Sequence, residues 1–200
     1  MDGHSAINTP RFTFHPAMIE GVWRIERSAS ADDRGFFSRL YCADEFSAIG
    51  LDMPLAQINH SFSRQKGTIR GLHFQHPPHT ETKIVSCLSG RIYDVALDLR
   101  MGSPTYLQWF GVELNAENRQ SLVIPPGVAH GFQTLSDDSE IIYLVTTPYS
   151  PEFEDGVNPF DSAARIVWPL PVAEISQRDS QRAFLDMASF KGLVLDRRDG

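Results

Sequence analysis

Lys83-Ile-Val-Ser-Cys-Leu-Ser-Gly-Arg-Ile-Tyr-Asp-Val-Ala-Leu-Asp-Leu99 is the stretch that decides the fold class. It contains two short apolar runs, Lys83–Leu88 and Arg91–Leu99, on either side of Ser89-Gly90. Runs of this length that alternate with polar residues between turn formers read as strands, and Ser-Gly between them reads as a hairpin turn. The same pattern recurs outward in both directions, at Gly21–Ser28, Phe36–Tyr41, Leu55–Phe62, Thr68–Gln75, Tyr106–Leu114, Ser121–Ile124, His130–Leu135 and Glu140–Thr147. Ser136–Ser139 reads as a second hairpin turn. Two helical pieces are expected, Ala43–Gly50, with acidic residues in its first turn and a terminal glycine, and Ser180–Ser189.

Many short strands with few helices predict an all-β chain, a double-stranded β-helix or jelly-roll barrel of the cupin type with short peripheral helices. Between residues 18 and 190 there is no repeat, low-complexity tract or linker, so one domain is expected there. Residues 1–17 form an N-terminal extension, the first ten of them expected to be disordered and the rest to be disordered or to pair with a partner subunit. Residues 191–200 form a tail. Barrels of this kind hold small ligands in their mouths.

A chain of 200 residues buries enough surface to fold without staples. Its two cysteines, Cys42 and Cys87, lack CxxC spacing and read as reduced thiols. The start of the chain has no basic segment followed by an apolar one, and no apolar run reaches the roughly 20 residues that span a bilayer, so a cytoplasmic protein without membrane contact is expected. A net charge of −7 argues against nucleic acid as a partner. An acidic protein that binds a small anion must gather its arginines at one place.

Chemistry concentrates in Gly67-Thr-Ile-Arg-Gly-Leu-His73-Phe-Gln75 and the following His76-Pro-Pro-His79-Thr-Glu81-Thr-Lys83. A histidine in a strand is most often a packed core residue. Here period-two alternation sets His73 on one face with Gly71 and Gln75, opposite Leu72 and Phe74. The same rule sets Arg70 on the face away from His73, unless Gly71 carries a bulge or Arg70 serves a neighbouring subunit. Further on, Pro125-Pro-Gly-Val-Ala-His130 again delivers a histidine from a Pro/Gly turn into a strand. His73, His76, His79, Glu81 and His130 are adequate metal ligands, which makes a metal-dependent cupin isomerase or dioxygenase the natural rival reading. Ligands sharing a strand need two-residue spacing, however, and three of these histidines come three apart. Tyr143 and Tyr149 stand near a strand end, and Asp179 reads by itself as a loop acid or helix cap.

Together these segments resemble the dTDP-4-dehydrorhamnose 3,5-epimerase family. The resemblance is carried by Asp33-Arg34-Gly-Phe-Phe37, Gln57-Ile-Asn59-His-Ser61, Arg70-Gly-Leu-His73-Phe-Gln75, Lys83, Asp94-Val-Ala-Leu-Asp98-Leu-Arg100, Ser103-Pro-Thr105, Pro126-Gly-Val-Ala-His130-Gly-Phe132, Tyr143, Tyr149, Trp168-Pro169 and Ser176-Gln-Arg-Asp179. It runs unbroken over about residues 18 to 190. It implies a cupin-like fold, a homodimer that exchanges N-terminal strands, a nucleotide-diphosphate sugar as substrate, and neither metal nor cofactor. It further implies His73 as the base, Asp179 as the acid that orients it, Lys83 at the sugar's C4 oxygen and Tyr143 as the acid on the opposite face. Arg34, Gln57, Asn59, Arg70, His130, Tyr149 and Glu154 match substrate-binding positions. Arg39 stands where the family usually has an acidic residue, and Arg178 where it usually has lysine; both are carried as substrate-binding positions. The expected activity is inversion of C3, C5 or both in a 4-keto-6-deoxyhexose through an enolate. The rival outside catalysis is a sugar-nucleotide-binding barrel.

Overall fold

The computed structural model describes residues 5–195. In chain order its strands are β1 (Ile7–Asn8), β2 (Phe12–Pro16), β3 (Trp23–Arg27), β4 (Ala29–Asp32), β5 (Gly35–Ser38), β6 (Gln57–Ser63), β7 (Thr68–Gln75), β8 (Lys83–Ser89), β9 (Arg91–Asp98), β10 (Trp109–Asn115), β11 (Gln120–Ile124), β12 (Val128–Thr134), β13 (Ser139–Val145), β14 (Glu154–Gly156) and β15 (Glu174–Ile175). The helices are short: α1 (Ala43–Phe46), continued by a 3-10 turn at Ser47–Ile49, and α2 (Gln177–Ser180). None of them is long and apolar enough to cross a membrane.

The strands form two large sheets and a hairpin. A 7-stranded sheet runs β1-β2-β3-β11-β8-β13-β6, a second runs β10-β9-β12-β7-β14 with β15 also on β7, and β4-β5 stands apart. The two large sheets face each other as a jelly roll. Val85, Cys87, Leu122 and Ile141 from the first pack against Ile92, Ala96, Val128 and Phe132 from the second. Fully burying side chains of this size contributes about 1.5–3 kcal/mol each. Burial pushes the Cys87 thiol up to about 12, so it acts here as an apolar filler. Two further apolar clusters cover the outer faces, one under Phe12, Phe14 and Phe46, the other around Leu72, Leu97, Val157 and Ala164.

The two expected hairpins are instead corners between sheets. β8 pairs with β11 and β13, whereas β9 pairs with β10 and β12, so the chain changes sheet at Gly90, where φ is +71°. The turn from β12 to β13 does the same. The two corners interlock: Ser136 Oγ accepts from Arg91 N at 2.9 Å, and a Cβ on Gly90 would stand 2.6 Å from Ser139 Oγ. A short turn at positive φ reverses the chain locally, and burial of both strand faces decides whether the reversed strand pairs with its predecessor or crosses over.

Two other expectations are corrected. The late helix lies at Gln177–Ser180 rather than Ser180–Ser189, because Ser176 Oγ accepts from Asp179 N at 3.0 Å and caps it there. Part of the stretch expected to be disordered, β1 at Ile7–Asn8, pairs with β2, and β2 pairs with β3 of the same chain. Likewise Leu193, assigned to the tail, is buried and bridges to Arg100. The expected disorder at residues 1–4 and the end of the tail at 196–200 lie outside the described residues.

Candidate active site

A cavity of about 740 Å³ opens between the two large sheets where the apolar filling stops. β6 and β13 form one wall and β7, β12 and β14 the other, with the segment around α2 across the mouth. Alternation along β6 turns Gln57, Asn59, Ser61 and Ser63 into the cavity, while Ile58 faces outward and is exposed.

The far wall depends on one irregularity. Phe132 pairs with Arg70 and His130 with His73, so two residues of β12 span three of β7, and a bulge lies at Gly71. The bulge returns Arg70 and His73 to the same face, and both line the cavity. Gly71 permits it through φ of +114° and a close approach: a Cβ there would stand 2.5 Å from Gly131 Cα.

His73 Nε2 lies 2.7 Å from Asp179 Oδ1, leaving Nδ1 without a hydrogen-bond partner among the described residues. Asp179 is buried and also accepts from Gly71 N at 3.3 Å. Burial by itself would raise its carboxyl. The hydrogen bond and charge of His73, with the Gly71 and Ser176 contacts, outweigh burial and hold the carboxyl below its ordinary value. Asp179 is therefore an anion fixed behind the imidazole, able to set its tautomer.

Tyr143 projects from β13, on the sheet opposite His73. Its phenol is 3.1 Å from Ser61 Oγ, and its ring meets His130 edge-on at 6.0 Å. Burial pushes the phenol up, and the nearby Asp94 charge adds to this against the lowering by Ser61 and Arg70. The group is thus a protonated donor at neutral pH. His130 Nε2 bonds Asp94 Oδ1 at 2.7 Å, forming a second, fully buried histidine–carboxylate pair.

Lys83, at the start of β8, brings its ammonium beside His73, 3.4 Å from that residue's carbonyl oxygen, and pairs with Glu81 at 2.7 Å. At the mouth, Arg70 donates to Ser63 Oγ and to the Phe62 carbonyl. Arg178 pairs with Glu154, which also accepts from Arg182 at 2.9 Å. Glu154 is therefore occupied by two arginines and orients them. Gln57 accepts from Tyr149 N, and Tyr149 is half exposed at the rim.

Two expected ligand residues lie elsewhere in the chain. Arg34 is exposed on the β4-β5 hairpin and pairs with Asp32, and Arg39 pairs with Glu45 of α1; neither lines the cavity. The residues adequate for a metal are also dispersed. His76 bonds Asp155 at 3.0 Å, His79 stacks on Phe153 and Glu81 holds Lys83. Among the described residues no three His, Cys, Asp or Glu side chains converge.

Ser61, Asp94 and Arg182 have no role assigned to them from the sequence. Alternation from Gln57 and Asn59 reaches Ser61, and Arg182 stands one helical turn after Asp179, so both carried a local signal. Asp94 stands in the motif Asp94-Val-Ala-Leu-Asp98, but nothing local assigns it a role, because its partner His130 lies on another strand.

Comparison with known proteins agrees with this geometry. Residues 16–186 match the family model described as dTDP-4-dehydrorhamnose 3,5-epimerase. The chain is 40% identical over 183 residues to the dTDP-4-dehydrorhamnose 3,5-epimerase of Streptomyces griseus, covering 90% of each. It is 41% identical over 180 residues to the dTDP-4-dehydrorhamnose 3-epimerase of Streptomyces niveus, covering 90% of this chain and 86% of the other. The crystal structure of a dTDP-6-deoxy-D-glucose-3,5-epimerase from Legionella pneumophila in complex with dTDP-4-keto-L-rhamnose superposes with a TM-score of 0.85 at 36% identity, covering 92% of this chain and 100% of that one. On its strands, its cavity and these relatives, the chain belongs to the dTDP-4-dehydrorhamnose 3,5-epimerase family.

Proposed function

We propose that the enzyme inverts carbon flanking the ketone of a dTDP-linked 4-keto-6-deoxyhexose, at C3, C5 or both, by proton transfer through an enolate. The observation that carries this reading is the placement of His73 and Tyr143 on opposite sheets across one cavity, with the Lys83 ammonium alongside. His73 Nδ1 takes the proton from carbon while Asp179 stabilises the imidazolium at Nε2. The electron pair moves into an enolate whose C4 oxygen is met by Lys83. Tyr143 returns a proton from the other face, and inversion results.

A positioned base supplies about 10²–10⁴ in rate, so the fixed charge at the oxyanion carries a comparable share. The arginines at the mouth, Arg70 and Arg178, suit a diphosphate. Both C3 and C5 adjoin C4, so the same groups serve either carbon as the ring turns.

A homodimer accounts for the residues that do not line the cavity. The β4-β5 hairpin exposes Phe36 and Phe37 at 60% and 63%, beside the exposed Arg34. Packing this hairpin on a second copy covers both rings and brings Arg34, with Arg39 nearby, toward the partner's diphosphate. Free thiols and the absence of a spanning helix among the described residues accord with a cytoplasmic enzyme.

Incubation in D₂O with dTDP-4-keto-6-deoxyglucose tests the reaction, with deuterium read at C3 and C5 by NMR. Exchange with inversion is expected at one carbon or both, and no exchange at either refutes the reading. Tyr143→Phe is expected to keep exchange and lose inversion, because His73 then reprotonates the enolate from the original side. A variant that inverts as often per exchange as the wild type removes Tyr143 from the role.

A further inference from the structure

We propose that Glu81 is a positioning residue that holds the Lys83 ammonium at the place where the enolate oxygen forms. The inference rests on the reading of Lys83 as the oxyanion's partner. Glu81 Oε1 lies 2.7 Å from Lys83 Nζ, and the two side chains are only 10% and 13% exposed. Glu81 has no other hydrogen bond or ion pair among the described residues, so its carboxylate is committed to the lysine.

The backbone on both sides of Glu81 is tied down. The Thr80 carbonyl accepts from Thr147 Oγ1 at 2.7 Å, and Thr82 N donates to Thr146 Oγ1 at 2.9 Å. Thr146 and Thr147 directly continue β13, the strand that carries Tyr143. The carboxylate is therefore registered to the wall that holds the opposite-face acid.

An ammonium ends a flexible four-carbon stem and has three N–H donors. Here the Glu81 carboxylate forms an ion pair with it at 2.7 Å, and the His73 carbonyl accepts a hydrogen bond from it at 3.4 Å. Lys83 Nζ makes no other hydrogen bond among the described residues, and the side chain lines the cavity. Two anchors on different segments, the carboxylate on the loop before β8 and the carbonyl on β7, thus set where the ammonium sits, and a misplacement of about 1 Å at such a contact can lower the rate by 10²-fold. The carboxylate also weakens the positive field at the oxyanion, so its presence there is explained by geometry rather than by charge. Glutamine, which keeps an acceptor oxygen and the same volume, should replace it well, and alanine poorly.

The test is kcat and KM on dTDP-4-keto-6-deoxyglucose for wild type, E81A, E81Q, K83A and the E81A/K83A double variant, with a crystal structure of E81A. E81A is expected to lose about tenfold in kcat with KM within about twofold, and E81Q to recover most of it. In the K83A background, E81A is expected to cost nothing further, because the group it positions is already gone. In the E81A crystal, Lys83 Nζ is expected to move by more than about 1 Å. Additive losses in the double variant, equal losses in E81A and E81Q, or wild-type kcat in E81A would each overturn the proposal. Should the wild type prove inactive on this sugar, the reading of the reaction falls, while an unmoved Nζ in E81A still overturns the hold of Glu81 on the lysine.

Discussion

Asp179→Asn keeps the shape of the side chain behind His73 and removes its charge. The lost contact is a 2.7 Å bond between a buried carboxylate and Nε2, and hydrogen bonds to charged groups contribute about 1.5–3 kcal/mol, or roughly 10- to 150-fold in rate if realised at the transition state. A second effect adds to this. An asparagine that donates its amide N–H to Nε2 selects the tautomer with the proton on Nδ1, the nitrogen that must accept one. We expect kcat to fall by at least about 100-fold, with KM nearly unchanged because the Asp179 carboxylate is buried and bonded to the imidazole.

The rate of deuterium wash-in measures this directly. A variant within about threefold of wild type would refute the assignment of Asp179 as the group that orients the base. Stability offers an independent reading. The Asp179 carboxyl is held below its ordinary value in the folded chain, so the ionised form stabilises the fold above about pH 4, and that stabilisation is lost as pH falls through the folded-state value. The melting difference between wild type and D179N should accordingly shrink from about pH 5 toward pH 2, and a constant difference would contradict the depressed value.

His73→Asn should abolish solvent exchange at both carbons while nucleotide affinity, measured with dTDP by calorimetry, stays within a few fold; exchange near the wild-type rate would move the base elsewhere. Gly71→Ala forces a Cβ to 2.5 Å from the Gly131 backbone at φ of +114°, so it should destabilise by at least about 2–4 kcal/mol, the sum of backbone strain and overpacking. An unchanged denaturation midpoint would mean that the bulge relaxes without cost.

Ten strands, β3 and β5 to β13, are legible as short apolar runs, with β7 bounded to the residue at Thr68–Gln75, whereas β1, β2 and β4 are not. What alternation does not encode is which strand lies next to which. Ser89-Gly90 and Ser136–Ser139 carry the same local chemistry whether the next strand folds back or crosses over, so both were read as hairpins. The short β14 and β15 have too few residues to show a period and exist through their pairing with β7. At the site, period two separated Arg70 from His73, and only the glycine between them hinted at the bulge that unites them. Asp179 gains its role from a partner brought in by the fold, at 2.7 Å, and no spacing rule reaches across 106 residues to link it with His73.

The interlocked corners at Gly90 and Ser136–Ser139 bear on how fast this chain reaches its working form. Each corner sends a strand away from its sequence neighbour, so β8 must wait for β11 and β13, and β7 for β12 and β14. Contacts of such long sequence separation place the chain among slow folders, in milliseconds to seconds, because loop-closure entropy is lost before the pairing compensates it. During synthesis the ribosome adds about 5–20 residues each second, so β6, β7 and β8 emerge several seconds before their partners. For that interval the wall carrying His73 is an open sheet edge. Crowding of nascent chains, rather than heat applied to the finished enzyme, is then the condition under which aggregation competes hardest with folding.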